Sequence, residues 1–263
     1  MKKFILSLIC LTLLALSGCA PKGQLLLSED SASERWQNFA NSRNHEGSYD
    51  VLSGSLRFGP AEATKRVTYT LWSEHPEGKH SKDAERNIRL EIGAGIGGSL
   101  GSLFMTEGKM TLLLPKEGRV YIGEASDWNL KRLLGLSLPL SVQALNDFLA
   151  GRLFSALDAP HPERYDTEED GDIVYFYQTN GNAAELTLDS RALPVHWNVQ
   201  NGWDMEISYD DNGFPSKISG RIHSEDGEQR LVLLVKERLP HTSTQNPGFE
   251  LRIPAGFTVY SLD

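Results

Sequence analysis

From residue 48 to residue 236 the chain repeats one pattern, a short stretch rich in Val, Thr, Tyr, Phe and Leu followed by tight-turn chemistry. Tyr49–Phe58, Arg66–Glu74, Asn87–Ala94, Leu103–Leu114 and Arg119–Glu124 form a first series. Asp172–Gln178, Ala184–Asp189, Val195–Gln200, Asp204–Tyr209, Ser216–His223 and Arg230–Lys236 form a second. Pro76-Glu-Gly78, Glu107-Gly108 and Glu117-Gly118 mark turns in the first series. Leu188-Asp-Ser-Arg191, Gln200-Asn-Gly202, Asp211-Asn-Gly213 and Glu225-Asp-Gly227 do so in the second. Connections this short join neighbours antiparallel, because a parallel pair needs a crossover of a dozen residues or more. The expectation is a mainly β domain of about 11 strands in one antiparallel succession.

A helical insertion interrupts it. Asp127–Leu134 carries Leu130, Leu133 and Leu134 on one side; Leu136-Ser-Leu-Pro139 breaks the period. Ser141 then suits an N-cap for a second helix with Val142, Leu145, Phe148 and Leu149 on one face, stopped by Gly151. An acidic, Pro-containing loop, Asp158–Asp170, leads back to strands. A further helix is expected earlier, capped by Ser31 or Ser33, with Trp36, Phe39 and Ala40 at helical spacing. Several strands are apolar at consecutive positions, among them Leu112-Leu-Leu114, Val174-Tyr-Phe-Tyr177 and Leu231-Val-Leu-Leu-Val235. A sheet with one wet face alternates instead. Either part of the sheet is covered twice in a thick core, or it lines an apolar cavity.

The N-terminus predicts the address. Lys2 and Lys3 precede an apolar run, Phe4–Leu16, too short to span a bilayer, which needs about 20 residues. Leu16-Ser17-Gly18-Cys19 has the form of a bacterial lipobox, with Cys19 as the lipidated nucleophile. This divides the chain into a signal peptide (1–18), a lipidated anchor and tether (19–33) and a β domain (34–263) with no linker inside it. Cys10 leaves with the signal and Cys19 is consumed by lipid, which excludes disulfides and thiolate metal sites. The mature chain keeps 24 basic residues against 35 acidic ones, a balance that argues against nucleic acid as partner and against electrostatic adsorption to anionic lipid. Attachment is expected through acyl chains, each buried CH₂ contributing about 0.8 kcal/mol. Ala20 and Pro21 follow the cysteine, with no Asp to retain it at the inner membrane, so the expected location is the outer membrane, facing the periplasm.

Gly93-Ala-Gly-Ile-Gly-Gly-Ser-Leu-Gly-Ser102 has three readings. As G-x-G-x-x-G it is a dinucleotide turn, but that needs a helix directly after it, and the pattern continues as strand. As G-x-S-x-G it carries a nucleophile at Ser99, which needs a strand-to-helix elbow that is equally missing. The third reading is a loop presenting Ile96 between Gly95 and Gly97, against the alternative that Ile96 folds back as core. The seven histidines are scattered singly, without metal-ligand spacing, and the acidic runs Asp166–Asp170 and Asp210-Asp211 lack the periodicity of a calcium loop. No catalytic, metal or cofactor site is expected.

Arg89-Leu-Glu-Ile-Gly-Ala-Gly-Ile96-Gly97 resembles the strand and protruding loop of the LolB family of outer-membrane lipoprotein receptors. Gly123–Leu140 is similar to that family's first lid helix and its Gly-x-x-x-Pro-Leu break. Leu145, Phe148, Leu149 and Gly151 fit its second lid helix, and Gly227–Val235 its last strand. The tail Phe249–Gly256 looks more like that of the soluble carrier LolA. The resemblance covers about a third of the chain. It implies an incomplete, open antiparallel β-barrel with helices plugging the concave face and a cavity that takes the acyl chains of another lipoprotein. In that setting Ile96 is the membrane-inserting residue, in a loop made more flexible by Gly95 where the family has proline. Leu130, Leu133, Leu134, Leu145, Phe148 and Leu149 become the lid and cavity lining. The implied partners are a periplasmic lipoprotein carrier and its lipoprotein cargo, with the protein a monomer and a covalent lipid on Cys19 in place of any cofactor. The rival expectation is a lipid-binding or structural envelope lipoprotein that shares the fold without a receptor role.

Overall fold

The computed structural model describes residues 29–41, 51–74, 86–95, 97–134, 140–157, 159–179, 181–224, 227–239, 249 and 251–262. Fourteen strands lie in one sheet. β1 (Val51–Pro60), β2 (Lys65–Glu74), β3 (Asn87–Ala94), β4 (Gly98–Thr106), β5 (Lys109–Leu114) and β6 (Arg119–Glu124) form one meander. β7 (Arg164–Thr167), β8 (Ile173–Thr179), β9 (Asn182–Leu188), β10 (Pro194–Val199), β11 (Trp203–Tyr209), β12 (Pro215–Ser224) and β13 (Gly227–Leu239) form a second. β1 pairs with β13 and joins the two. A last strand, β14 (Thr258–Leu262), adds to β6 in parallel, the one parallel pairing among the described strands. The order is β14-β6-β5-β4-β3-β2-β1-β13-β12-β11-β10-β9-β8-β7, so the sheet stays open, with β14 and β7 at its edges.

The strand count of about 11 is thereby corrected. Glu107 and Gly108 both take positive φ, 50° and 73°, and make a two-residue hairpin that divides the run Leu103–Leu114 into β4 and β5. β7 lies inside the acidic segment read as loop, because four exposed or half-exposed residues at a sheet edge carry no apolar period. β14 follows a Pro-Gly turn near the chain's end and pairs with a strand well over a hundred residues earlier, which no local pattern reports.

Four helices are described: α1 (Glu29–Asn41), α2 (Asp127–Leu134), α3 (Val142–Leu149) and α4 (Leu153–Leu157). The first starts before the expected caps, so Ser31 and Ser33 lie within it. Its Ala32, Trp36 and Phe39 are buried. Ser141 caps α3 as expected, accepting from the Ala144 backbone N–H at 3.1 Å. Gly151, at φ 86°, ends it. The five-residue α4 was missed because so short a run shows no period.

Strand burial alternates where one face meets the core: Val67, Tyr69, Leu71 and Ser73 on β2, and Trp203, Met205 and Ile207 on β11. Leu262 at one edge belongs to the same buried cluster as Ile173 and Tyr175 beside the other, together with residues from all four helices. The sheet therefore curls around its helices. Laid flat, the twelve spacings from β6 to β7 would measure roughly 58 Å. The connector 125–163 bridges these sides across the inner face. Val51, Phe104 and Val120 are also buried, yet on the opposite, outer face. Part of the sheet is thus covered twice, which accounts for consecutive apolar residues in β4 and β6.

Candidate functional site

Register sorts the inner face into two ends. The connector leaves β6 at one end, where Arg86 precedes β3. Asp147 of α3 lies 2.6 Å from Arg152 and 3.9 Å from Arg86, and so ties helix to sheet there. At the same end α1 is held by Arg35, which donates to the carbonyls of Gly171 (2.9 Å) and Leu188 (3.3 Å). Tyr175 Oη donates to Ala32 O at 2.7 Å. This helix end is filled. Leu130, Phe148 and Leu149 are buried in the core, while Leu133 and Leu145 are half-buried against it. The Leu134 side chain lies outside the described residues, as do Ile96 and Cys19. On α2 the helical period turns Trp128 the other way, 71% exposed.

The opposite end is different. It carries the turns 60–64, 95–97, 115–118 and 200–202. Toward those turns the inner face presents Leu56, Phe58, Ile92, Leu114, Tyr121, Val199 and Ile222, all half-exposed, with exposed Lys65 paired to Phe58, exposed Arg119 paired to Leu114, and Trp203 beside Ile222 buried. They form an apolar mouth continuous with the buried interior: Leu56 stands opposite Leu233, and Ile222 opposite Trp203, both buried. This mouth is the feature that composition and period did not reveal. Only the register places Ile92, Leu114, Val199 and Ile222 at one rim.

The interior is chemically quiet. Tyr69 Oη donates to Leu234 O at 3.2 Å and Tyr209 Oη to Pro194 O at 2.6 Å, while Trp197 Nε1 donates to Tyr177 Oη at 2.8 Å. Burial raises all four of these inner-face phenols, Tyr175 and Tyr177 to about 12, and Tyr69 and Tyr209 well above the ordinary range. They stay neutral through the physiological range. Among the described residues Trp203 Nε1 is buried without a hydrogen-bond partner. It lies one strand from Ile222 at the rim, a donor that a carbonyl of bound ligand would satisfy.

The glycine-rich stretch is the hairpin between β3 and β4. Ala94 pairs with Gly98, leaving Gly95, Ile96 and Gly97 as a three-residue loop. Gly97 sits at φ 70°, the left-handed position such a loop requires. Gly95 and Gly97 are exposed, with open space around both. Ser99 lies within β4, and no helix follows it. Both the dinucleotide turn and the nucleophile elbow are excluded by that geometry.

Two solved structures share this architecture. A LolA superfamily protein from Nitrosomonas europaea is 14% identical with a TM-score of 0.53, over 81% of this chain and 96% of its own. A putative outer membrane lipoprotein-sorting protein domain from Vibrio parahaemolyticus is 12% identical with a TM-score of 0.52, over 84% of this chain and 94% of its own. No protein-family model matches the sequence, and no curated protein does. At such identities the likeness is one of fold. The chain has the LolA-type open sheet around helices, a fold not specific to the LolB branch.

Proposed function

We propose that this chain is an outer-membrane-anchored lipoprotein that accepts or transfers other lipoproteins by holding their acyl chains in its apolar interior. One observation carries the reading: the mouth formed by Leu56, Phe58, Ile92, Leu114, Tyr121, Val199 and Ile222 opens into a single core already filled by amphipathic helices. Acyl chains entering there replace helix contacts with ligand contacts, and a dozen sequestered CH₂ groups correspond to about 10 kcal/mol. The LolA-type fold and the likeness to the Vibrio lipoprotein-sorting domain support it. In this reading Cys19 carries the anchoring lipid, and the protein needs no catalytic group or cofactor. Its partners are a periplasmic carrier and the carrier's cargo. Ile96, between exposed Gly95 and Gly97, enters the leaflet as cargo is released. Leu130, Leu133, Leu134, Leu145, Phe148 and Leu149 are the lid that gives way.

The test mixes a non-lipidated form (Cys19→Ser) with a purified carrier loaded with a lipoprotein and asks which protein the cargo co-purifies with. Movement onto this chain supports a receptor, and Ile96→Glu should then block onward delivery to membranes without lowering the melting temperature. Cargo that stays on the carrier while the chain still binds a fluorescent fatty acid would favour a lipid-binding envelope protein instead. Binding neither would leave only the fold.

A further inference from the structure

Net charge argues against adsorption to anionic lipid, yet the fold segregates its charges. Thr68 pairs with Gly93, which puts Lys65 and Arg66 level with the Gly95–Gly97 tip. Arg57 pairs with Arg66 on the adjoining strand. Lys116 lies in the turn before β6 and Arg119 opens that strand, where it pairs with Thr258 of β14. Arg252 stands on the approach to β14. All six cations are exposed, and among the described residues of this half of the rim the exposed acids are Glu62 and Glu117. Arg119 is bonded to Glu117 at 3.0 Å. Arg57, Lys65, Arg66, Lys116 and Arg252 form no ion pair among the described residues. On the far half Arg221 pairs with Asp204 (2.7 Å) and Arg230 with Glu228 (2.5 Å), and exposed Glu163 and Glu185 stand near exposed Arg164.

Apolar groups are exposed on β14 and on the segment leading to it. Ile253, Val259 and Tyr260 are 42%, 51% and 41% accessible and lie within eight residues of one another. Tyr260 stacks on Tyr121 at 5.2 Å, with the Arg119 guanidinium 6.0 Å from its ring. Cations, a tyrosine pair and protruding aliphatic groups around one rim match a lipid–water interface, where aromatic rings sit at headgroup level and Lys and Arg meet phosphate. An acidic protein surface would complement the charge but leave Ile253 and Val259 without an apolar host.

We infer that the rim formed by Arg57, Lys65, Arg66, Lys116, Arg119 and Arg252 docks this protein on an anionic phospholipid surface, with the β14 edge dipping into the headgroup layer. The inference needs no cargo binding and stands apart from the receptor reading. Each cation near such a surface contributes about fivefold in binding.

The test is co-sedimentation of the non-lipidated chain (Cys19→Ser) with vesicles of 30% phosphatidylglycerol in phosphatidylcholine and with vesicles of pure phosphatidylcholine. Binding should be confined to the anionic vesicles and weaken steeply between 50 and 200 mM salt, as the Debye length falls from about 14 to about 7 Å. The triple variant Lys65→Glu, Arg66→Glu, Lys116→Glu should lose at least about a hundredfold in binding. Lys109→Glu, Lys131→Glu, Arg132→Glu makes the same change in net charge at the helix end and should retain most of it. Circular dichroism and uptake of a fluorescent fatty acid check that both variants keep the fold and the interior. Equal loss in the two variants would overturn the rim assignment, as would equal binding to neutral vesicles or no binding to either. Loss of carrier association with vesicle binding intact would move the rim's role to a protein partner and overturn the inference too.

Discussion

Gly54 sits where the two meanders meet. The β1–β13 register slips between Ser53 and Gly54, and a Cβ built on Gly54 would lie 1.9 Å from the Leu234 carbonyl oxygen. Backbone has to move to admit even a methyl group. Gly54→Ala should therefore cost about 3 kcal/mol or more, the upper range for overpacking, read as a lower urea midpoint at unchanged m-value. A second residue-scale prediction concerns Tyr175 and Tyr177, whose hydroxyls burial raises to about 12 from an ordinary 10. Below pH 10 both states hold the proton, and the phenols favour neither. Between pH 10 and 12 the unfolded chain loses protons that the folded chain keeps, so stability falls as pH rises through that window. An absorbance titration at the phenolate band should show these two tyrosines ionising only as the fold opens. Ionisation of every tyrosine with the fold still intact would refute their burial.

At the scale of elements, an ion cluster ties α3 and α4 to the sheet beside their buried apolar faces. Asp147 meets Arg152 and Arg86, all three side chains less than a fifth exposed. Asp147→Asn leaves two guanidiniums without that carboxylate and should lower the opening free energy of α3 and α4 by about 3 kcal/mol. Hydrogen exchange should speed up in these helices while β8–β11 amides keep their protection; uniform acceleration would show that the helices do not open as a unit. The same elements indicate what was legible beforehand. α2 and α3 are written in local spacing, Leu130 to Leu133 on one and Ser141 to Phe148 on the other, and both appear where expected. The hairpins at Asn201-Gly202 and Asp210–Gly213 are local too: Asp210 Oδ1 accepts from the Asn212 and Phe214 amides, a bond an aspartate offers in any context. β14 and the β1–β13 seam join residues that no local window spans. The mouth was hidden for the same reason, since each of its residues is an ordinary apolar or aromatic strand residue until register lines them up.

The whole molecule keeps its two ends distinct. Helices, the Asp147 cluster and the Arg35 bonds lie at one, while the half-exposed mouth, the glycine tip and the basic rim lie at the other. Ile222→Glu should then abolish uptake of a fluorescent fatty acid with a melting temperature within a few degrees of the parent, because its side chain is already partly in water. Unchanged uptake would place the ligand elsewhere. The parallel pairing of β14 with β6 also bears on how the protein is made. Synthesis starts from the N-terminus, and the strands that cover the flanks of the first meander, β13 and β14, begin only at residues 227 and 258. Until they emerge, β1 and β6 each present a bare row of amides and carbonyls to whatever nascent chain is nearby. Removing β14 should therefore lower soluble yield in cells by leaving the β6 edge bare even after synthesis ends.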